Sequence, residues 1–298
     1  MAVDGVVVYA LVGAVSILSL ILTARLVVRR LEAVAKFYEL SEVVIGMTVV
    51  SIGTSLPEIA AHLVASYRIV AGLGDPRILS ATVLGGNIGS DVVQQTLVLG
   101  LVVVIVGGFQ FSKKFLVRDY GPMIGTTLVT LLLSWDGSIS RLDGAVLLTL
   151  FSAYMYFLYT TRKEVLQEQG TNPPSNDPRR DTVVALVALV FLVASAHLLL
   201  QVAEFFVERT ALEGSLIGVL VLGIGAASPE MTTAITGLRE GAEGISLGTL
   251  IGSNITNPLF GIGIGALIST YRVPKPLIYW DLPMETVTAA VLLTYLLT

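Results

Sequence analysis

The sequence predicts an all-α polytopic membrane protein made of two inverted-topology repeats of about five transmembrane helices, with nine helices visible and no tenth helix before the chain ends. Three observations predict this fold. The 298 residues are 54% hydrophobic and 13% charged, with a mean hydropathy of +0.83, which is far too apolar for a soluble domain. Apolar segments long enough to cross a bilayer recur along the chain. Two motifs of the first half return in the second half.

The composition excludes several classes of protein and site. The chain has no cysteine, so disulfides and thiolate metal sites are excluded, and its two histidines are too few for a His-rich metal site. The net charge is −4 and no basic run is present, so nucleic acid is not an expected partner. No Lys or Arg precedes the first apolar stretch, so we expect a retained transmembrane helix there and not a cleaved signal peptide.

Nine apolar segments are candidate membrane spans, each of about 20 residues or more. They lie near residues 4–28, 42–67, 79–107, 115–134, 143–161, 182–207, 214–238, 244–270 and 283–298. One polar stretch, RKEVLQEQGTNPPSNDPRRD at 162–181, has the composition of a solvated linker. The expected organisation is a first repeat at 1–161 (helices 1–5), a linker at 162–181 and a second repeat at 182–298 (helices 6–9).

Lysine and arginine predict the orientation, because cytoplasmic loops carry an excess of both. With nine helices, the loops after helices 1, 3, 5 and 7 share one side of the membrane and hold 12 of the 18 basic residues, while the other side holds 6. This distribution predicts an external N-terminus and a cytoplasmic linker in a plasma or inner membrane.

The internal repeat consists of two paired motifs. IGMTVVSIGTSLPE at 45–58 aligns with IGVLVLGIGAASPE at 217–230 at an offset of 172, and LGGNIGSDVVQQTLVLG at 84–100 aligns with LGTLIGSNITNPLFGIG at 247–263 at an offset of 163. A weaker match relates RDYGPM at 118–123 to WDLPM at 280–284. Because five helices precede the second copy, it crosses the membrane in the opposite sense, and inverted repeats place a substrate site near the midplane. The helix at 143–161 has no counterpart, so the second repeat ends one helix early or belongs to a longer chain.

Each copy of the first motif places a glutamate, Glu58 or Glu230, in an apolar segment. An ionised carboxylate at the membrane centre costs several kcal/mol and usually marks a functional site. A proline precedes each glutamate and lacks the N–H that would bond the carbonyl four residues earlier. The carbonyls of Gly53 and Gly225 are therefore freed, and in lipid they need a partner. A cation is a suitable one, so we expect interrupted helices at an ion site.

The second motif adds neutral oxygen atoms. Ser90 and Gln94 are four residues apart, as are Ser253 and Asn257, so each pair shares a helix face. Two carboxylates with carbonyl, hydroxyl and amide oxygens suit calcium or sodium rather than zinc or copper. Two negative charges balance one divalent ion, or they are shared among several monovalent ions or protons. A site that must always hold one set or the other is typical of an exchanger.

These motifs resemble those of the calcium/cation antiporter superfamily, and the chain is most similar to the prokaryotic sodium/calcium exchangers. The resemblance rests on GTSLPE with GAASPE and on GNIGSD with GSNITN, and it covers essentially the whole chain. It implies a secondary antiporter that exchanges calcium for sodium by alternating access as helices 1 and 6 slide. It implies no enzyme activity and no cofactor beyond the transported ions, and the oligomeric state is left open.

The resemblance also implies the ion-site residues. Thr54 and Ala226 fall where the family uses threonines largely through backbone oxygen, and Gln94 is one methylene longer than the usual Asn. Neither position 94 nor position 257 is acidic, so two obvious carboxylates remain. The implied ligands, with the freed carbonyls of Gly53 and Gly225, are Glu58, Glu230, Thr54, Ala226, Ser90, Ser253, Gln94 and Asn257.

Several alternatives stay open. A proton could replace sodium as the coupling ion, although the proton-coupled branch tends to carry a Gly-Asn-Ala-x-Glu type motif. Asp91 is either a third site acid or, as we prefer, a capping or structural residue, because it lies about 100° around the helix from Ser90. His62, one turn after Glu58, either tunes its protonation or, as we prefer, is a packing residue. An intramembrane enzyme is disfavoured because no HExxH motif is present, and an ion channel because a channel needs a continuous pore.

Overall fold

The computed structural model of the chain describes residues 2–38, 51–101, 120–161, 175–210, 214–223, 227, 230–231 and 243–297. The α-helices are α1 (Ala2–Phe37), α2 (Ser51–Thr54), α3 (Leu56–Val70), α4 (Pro76–Val93), α5 (Gly121–Leu133), α6 (Arg141–Thr161), α7 (Pro178–Arg209), α8 (Gly214–Gly218), α9 (Glu243–Thr256), α10 (Gly263–Ile268) and α11 (Leu282–Leu297). The π-helical segments among the described residues are π1 (Gln94–Val98), π2 (Val219–Gly223), π3 (Asn257–Ile262) and π4 (Leu277–Asp281). The two short strands are β1 (Ser138–Ile139) and β2 (Tyr271–Arg272).

The described helices include membrane-spanning ones. Four segments are long and apolar enough to cross a bilayer, namely Gly5–Leu31, Arg141–Leu158, Pro178–Arg209 and Leu250–Ile268. Large apolar side chains such as Leu186, Val190 and Phe191 are exposed on α7, as expected of a helix surface that faces lipid. The prediction of an all-α polytopic membrane protein is confirmed.

Helices α1 and α7 form an antiparallel pair. Near one end, the rings of Tyr9 and Phe205 stack with centroids 3.7 Å apart. Near the other end, the Arg30 guanidinium donates to the Asp181 carboxylate at 2.7 Å, and the Ser175 hydroxyl donates to the same carboxylate. Contacts at both ends hold the two helices together as one unit.

Helix α4 packs against α8 and π2 with very close backbones. A Cβ atom added at Gly85 would overlap the backbone of Ser215, and one added at Gly218 would overlap the Thr82 carbonyl. Small residues allow this approach where two membrane helices cross. Helix α4 carries the second motif of the first repeat, and α8 with π2 carries the start of the first motif of the second repeat. This close packing therefore joins the two repeats.

The two repeats run in opposite directions through the membrane. Pro76, at the start of α4, lines the same space as Ser269, which directly follows α10. The backbone N–H of Arg272 donates to the Ser80 hydroxyl at 3.2 Å, and β1 pairs with β2 in antiparallel register. The helix of the first repeat therefore starts at the face where its counterpart in the second repeat ends, as the inverted repeat predicts.

Candidate ion-binding site

The helix that carries Glu58 is interrupted just before it. Helix α2 ends at Thr54 and α3 begins at Leu56, with Ser55 between them at φ −87° and ψ 7°. Pro57 is the second residue of α3, where it is tolerated because the first N–H groups of a helix have no intrahelical partner. Glu58 follows in the first turn, where the positive end of the helix dipole stabilises a carboxylate. The structure thus has the predicted interruption at this motif.

Other predicted members of the first motif are only partly described. Gly53 lies in α2 and is buried, and a Cβ atom there would overlap the Val28 side chain of α1. This glycine therefore also allows α1 to pack closely against the site helix. The side chain of Thr54, and the whole of Gly225 and Ala226, lie outside the described residues, so their ligand roles stay predictions.

The two repeated glutamates are buried and short of hydrogen-bond donors. Glu58 is 4% exposed and Glu230 is 0% exposed. The Ser90 hydroxyl donates to Glu58 Oε1 at 2.9 Å, but in the described part of the chain Glu58 Oε2 and both carboxylate oxygens of Glu230 have no hydrogen-bond partner. Uncompensated buried carboxylates are strongly destabilising, so these three oxygens are suited to a bound cation.

The two carboxylates share one electrostatic environment. The negative charges of Glu58 and Asp91 both repel the negative charge of Glu230. The positive charge of Arg25, on α1, attracts it more weakly. No three His, Cys, Asp or Glu side chains of the described residues lie close enough together to hold one metal ion. The ligand set predicted from the sequence, two carboxylates completed by neutral oxygens, stays a prediction.

Both copies of the second motif change from α- to π-helix at the same repeat position. Segment π1 begins at Gln94 and π3 begins at Asn257, which are equivalent at the offset of 163. Ser90 and Ser253, one turn earlier, are equivalent in the same way, and all four side chains are 0% exposed. A π-helical turn re-aims side chains and is frequent at functional sites, so the repeat extends to local backbone geometry.

A pair of symmetric hydrogen bonds joins the two repeats. Asp91 and Asn254 occupy equivalent positions at the offset of 163. The Asn257 amide donates to Asp91 Oδ1 at 2.8 Å, and the Asn254 amide donates to Gln94 Oε1 at 3.0 Å. Asp91 therefore orients Asn257, and the choice between a structural role and a third site acid stays a prediction. Asn257 Oδ1 is left buried without a hydrogen-bond partner among the described residues and is available to a cation.

Gln94 is placed differently from its counterpart. Its amide nitrogen donates to Ser90 Oγ at 3.0 Å, and its amide oxygen accepts from both Ser253 and Asn254. Gln94 therefore bridges the two repeats and presents no uncommitted oxygen in this arrangement. The side chain lies at the predicted site, and the ligand role of its oxygen stays a prediction.

Two polar residues that the ligand prediction did not include are Asn87 and Ser55. The Asn87 amide nitrogen contacts His62 Nε2 at 3.2 Å and donates to the Asn257 carbonyl at 3.1 Å, while His62 Nδ1 lies 3.1 Å from the Tyr271 hydroxyl. Asn87 Oδ1 and Ser55 Oγ remain buried without described partners. His62 is thus a buried residue that orients Asn87. The signal in the sequence was present, because both residues belong to the quoted motifs.

A small cavity of about 20 Å³, room for about one water molecule, lies between this site and the α1–α7 pair. Its lining includes Glu58 and Asn87 from the site, Leu20 of α1, Leu199 of α7 and Leu222 of π2. The other lining residues are apolar, so Glu58 and Asn87 are the polar members of the lining. A change in the position of α1 and α7 would alter access to Glu58.

Comparison with known sequences identifies the family. A profile described as "Sodium/calcium exchanger protein" matches residues 8–160 and 181–298. The chain belongs to this sodium/calcium exchanger protein family. The two matched blocks exclude residues 161–180, which overlap the predicted linker at 162–181. The family consists of transporters and not of catalytic enzymes.

Relatives in bacteria and archaea match most of this exchanger-family chain. The inner membrane protein YrbG of Escherichia coli is 30% identical over 275 residues, which cover 89% of this chain and 81% of YrbG. The sodium/calcium exchanger MaX1 of Methanosarcina acetivorans is 22% identical over 91% of this chain and 86% of MaX1.

Two solved exchangers share the fold. The sodium-calcium exchanger NCX_Mj matches with a TM-score of 0.60 and 23% identity, covering 98% of this chain and 91% of NCX_Mj. The H+/Ca2+ exchanger CAX matches with a TM-score of 0.73 and 15% identity, covering 97% of this chain and 76% of CAX. At these identities the likeness supports the fold of this exchanger-family chain.

Proposed function

We propose that this exchanger-family chain is a secondary active antiporter that moves calcium ions in exchange for sodium ions by alternating access. The observation that carries the proposal is the pair of buried carboxylates, Glu58 and Glu230, whose three uncommitted oxygens belong to opposite repeats. Asn257 Oδ1 and Asn87 Oδ1 are further buried oxygens without described partners. All are hard oxygen ligands of the kind that calcium and sodium prefer.

Charge balance supports exchange over simple conduction. One calcium ion neutralises two carboxylates, and so do two sodium ions. A site that holds neither leaves two buried negative charges with no ion pair in the described residues, which costs several kcal/mol for each. The loaded states are therefore favoured over the empty one, and one ion is released as another takes its place.

The α1–α7 pair is the element that we assign to alternating access. It contacts the site helices through Val28 at Gly53, and it walls the space that reaches Glu58. Sliding of this pair would close that space and open another on the opposite face. We assign the chain to an inner or plasma membrane with the N-terminus outside, following the basic-residue distribution and the similarity to YrbG.

Sodium is the coupling ion that we favour, because GTSLPE with its copy GAASPE is typical of the sodium-coupled branch. The alternative is a proton, since Glu58 and Glu230 lie close enough to interact and could be neutralised by protonation. Proteoliposomes distinguish the two. We expect an outward sodium gradient to drive uptake of radioactive calcium, and a pH gradient without sodium to drive none. Uptake driven by the pH gradient alone would establish the proton alternative instead.

The site assignment is tested with Glu230→Gln in the same proteoliposomes. Glutamine keeps the size of the side chain but removes one of the two charges, so sodium-driven calcium uptake should be lost. The matched control is Glu208→Gln, because Glu208 is an exposed acid on α7 and its change should leave uptake intact. Near-normal uptake by Glu230→Gln would mean that the ions bind elsewhere.

A further inference from the structure

A further buried acid, which the proposed exchange site does not use, lies in the last described helix. Glu285 is the fourth residue of α11 and is 2% exposed. It follows Leu277, the first residue of π4, by eight positions, so at about 1.5 Å per residue it lies roughly 12 Å along the helix. A buried acid in an apolar membrane helix is a candidate functional group.

The donors around Glu285 are neutral. The Thr127 hydroxyl donates to Glu285 Oε1 at 3.0 Å, and the Gln95 amide nitrogen donates to the same oxygen at 3.4 Å. Arg30 pairs with Asp181 and Arg68 pairs with Glu204, so these two ion pairs of the described residues do not involve Glu285. Its electrostatic neighbour is another acid, because the charge of Glu285 acts on Asp91. This environment lacks positive charge in the part of the chain that the structure describes.

Gln95 contributes an unused oxygen at the same place. The side chain is 4% exposed, and its amide nitrogen donates to both Glu285 and Asn254 Oδ1, the latter at 2.8 Å. Its amide oxygen is buried without a described hydrogen-bond partner. This oxygen belongs to the same amide whose nitrogen contacts the Glu285 carboxylate. A buried polar atom of this kind usually has a partner.

The Glu285 cluster is not a product of the internal repeat. WDLPM at 280–284 aligns with RDYGPM at 118–123, with one residue inserted in the first copy. The residue that follows in the first copy is Ile124, and the residue that follows in the second copy is Glu285. The central site is built from equivalent positions of both repeats, whereas this acid occurs in one repeat only. It is therefore an addition to the symmetric site.

We propose that Glu285, Gln95 and Thr127 form a second cation site that takes one monovalent metal ion of sodium size. This inference rests on the proposed function. Carboxylate, amide and hydroxyl oxygens are all hard ligands, and a single carboxylate balances a single positive charge. A divalent ion would need a second carboxylate, and Asp91, the acid on which the charge of Glu285 acts, already accepts a hydrogen bond from Asn257.

A chain of hydrogen bonds links the second site to the first. Gln95 donates to Asn254, Asn254 donates to Gln94, Gln94 donates to Ser90, and Ser90 donates to Glu58. Every donor in this chain points toward Glu58, and aligned hydrogen bonds strengthen one another. A cation that polarises the Gln95 amide would therefore strengthen the hydrogen bond that the Glu58 carboxylate accepts. The second site accordingly links sodium binding to the state of the first.

The test measures binding of radioactive sodium to the purified full-length protein in detergent. We expect Glu285→Gln to bind one sodium ion fewer per chain than the wild type, while Glu58→Gln is the variant that loses calcium binding. Thr127→Val keeps the carboxylate but removes one oxygen, so it should raise the half-saturating sodium concentration roughly tenfold or less. The matched control is Asp136→Asn, because Asp136 is an exposed loop acid, and it should bind sodium like the wild type.

Unchanged sodium binding by Glu285→Gln would overturn the second site. Loss of calcium binding in Glu285→Gln to the same degree as in Glu58→Gln would overturn it as well, because Glu285 would then belong to the central site. If Glu285→Gln changed the pH dependence of calcium binding but left sodium binding unchanged, Glu285 would bind a proton, and the metal site would be refuted. If the wild type shows no sodium-driven calcium uptake, the proposed function fails, and the sodium-binding comparison still decides the second site.

Discussion

Replacing Glu58 with glutamine tests the electrostatics of the central site. Gln keeps an oxygen that can accept from Ser90, whose hydroxyl lies 2.9 Å from Glu58 Oε1, so the local packing is preserved. The site charge falls from two negative charges to one, so a bound calcium ion keeps one positive charge that nothing balances. An unpaired buried charge costs about 3–5 kcal/mol. At about 1.4 kcal/mol for each factor of ten, calcium affinity should fall by at least about 100-fold.

Thermal unfolding in detergent, followed against calcium concentration, measures this effect. A ligand at about 100 times its dissociation constant stabilises the folded state by about 2.7 kcal/mol, so calcium should raise the melting temperature of the wild type. The same calcium concentration should give Glu58→Gln almost no shift, because it is then near or below the new dissociation constant. A calcium-dependent shift in Glu58→Gln equal to that of the wild type would refute the reasoning, and Glu208→Gln serves as the control.

Two further predictions concern packing and orientation. Gly218→Ala should lower the yield of monodisperse protein in size-exclusion chromatography, because the new Cβ would overlap the Thr82 carbonyl. The control Gly125→Ala, whose new Cβ meets no described atom within 4 Å, should behave like the wild type. Equal yields from the two variants would refute the close packing. His62→Phe should weaken calcium binding by orienting Asn87 poorly, and its effect should be less than additive with Asn87→Ala in a double-mutant cycle; full additivity would mean that the two residues act independently.

The repeated features of the site could be predicted from the sequence. Glu58 and Glu230 each follow a proline at equivalent positions, and this combination has a physical meaning even without coordinates. The interruption at Ser55 and the burial of both acids agree with that reasoning. The inverted direction of the repeats followed from the odd number of helices before the second copy. It agrees with the structure, where the start of α4 and the end of α10 line the same space.

The partners of the amide side chains could not be predicted, because they depend on how the helices cross. Asn257 and Gln94 are equivalent in sequence, yet their amides have different partners. The Asn257 nitrogen donates to Asp91, whereas the Gln94 oxygen accepts from Ser253 and Asn254. The extra methylene of Gln94 extends its amide across the repeat interface. Glu285 escaped prediction for another reason, since an acid without a repeated counterpart carries no signal in a comparison of the two halves.

The most direct test of the central claim is anomalous diffraction from crystals soaked in calcium. The account predicts one strong calcium peak between the carboxylates of Glu58 and Glu230, and loss of that peak when calcium is replaced by a high concentration of sodium. Saturating calcium that gives no peak at these carboxylates, or a calcium peak that sodium does not displace, would contradict exchange of the two ions at this site.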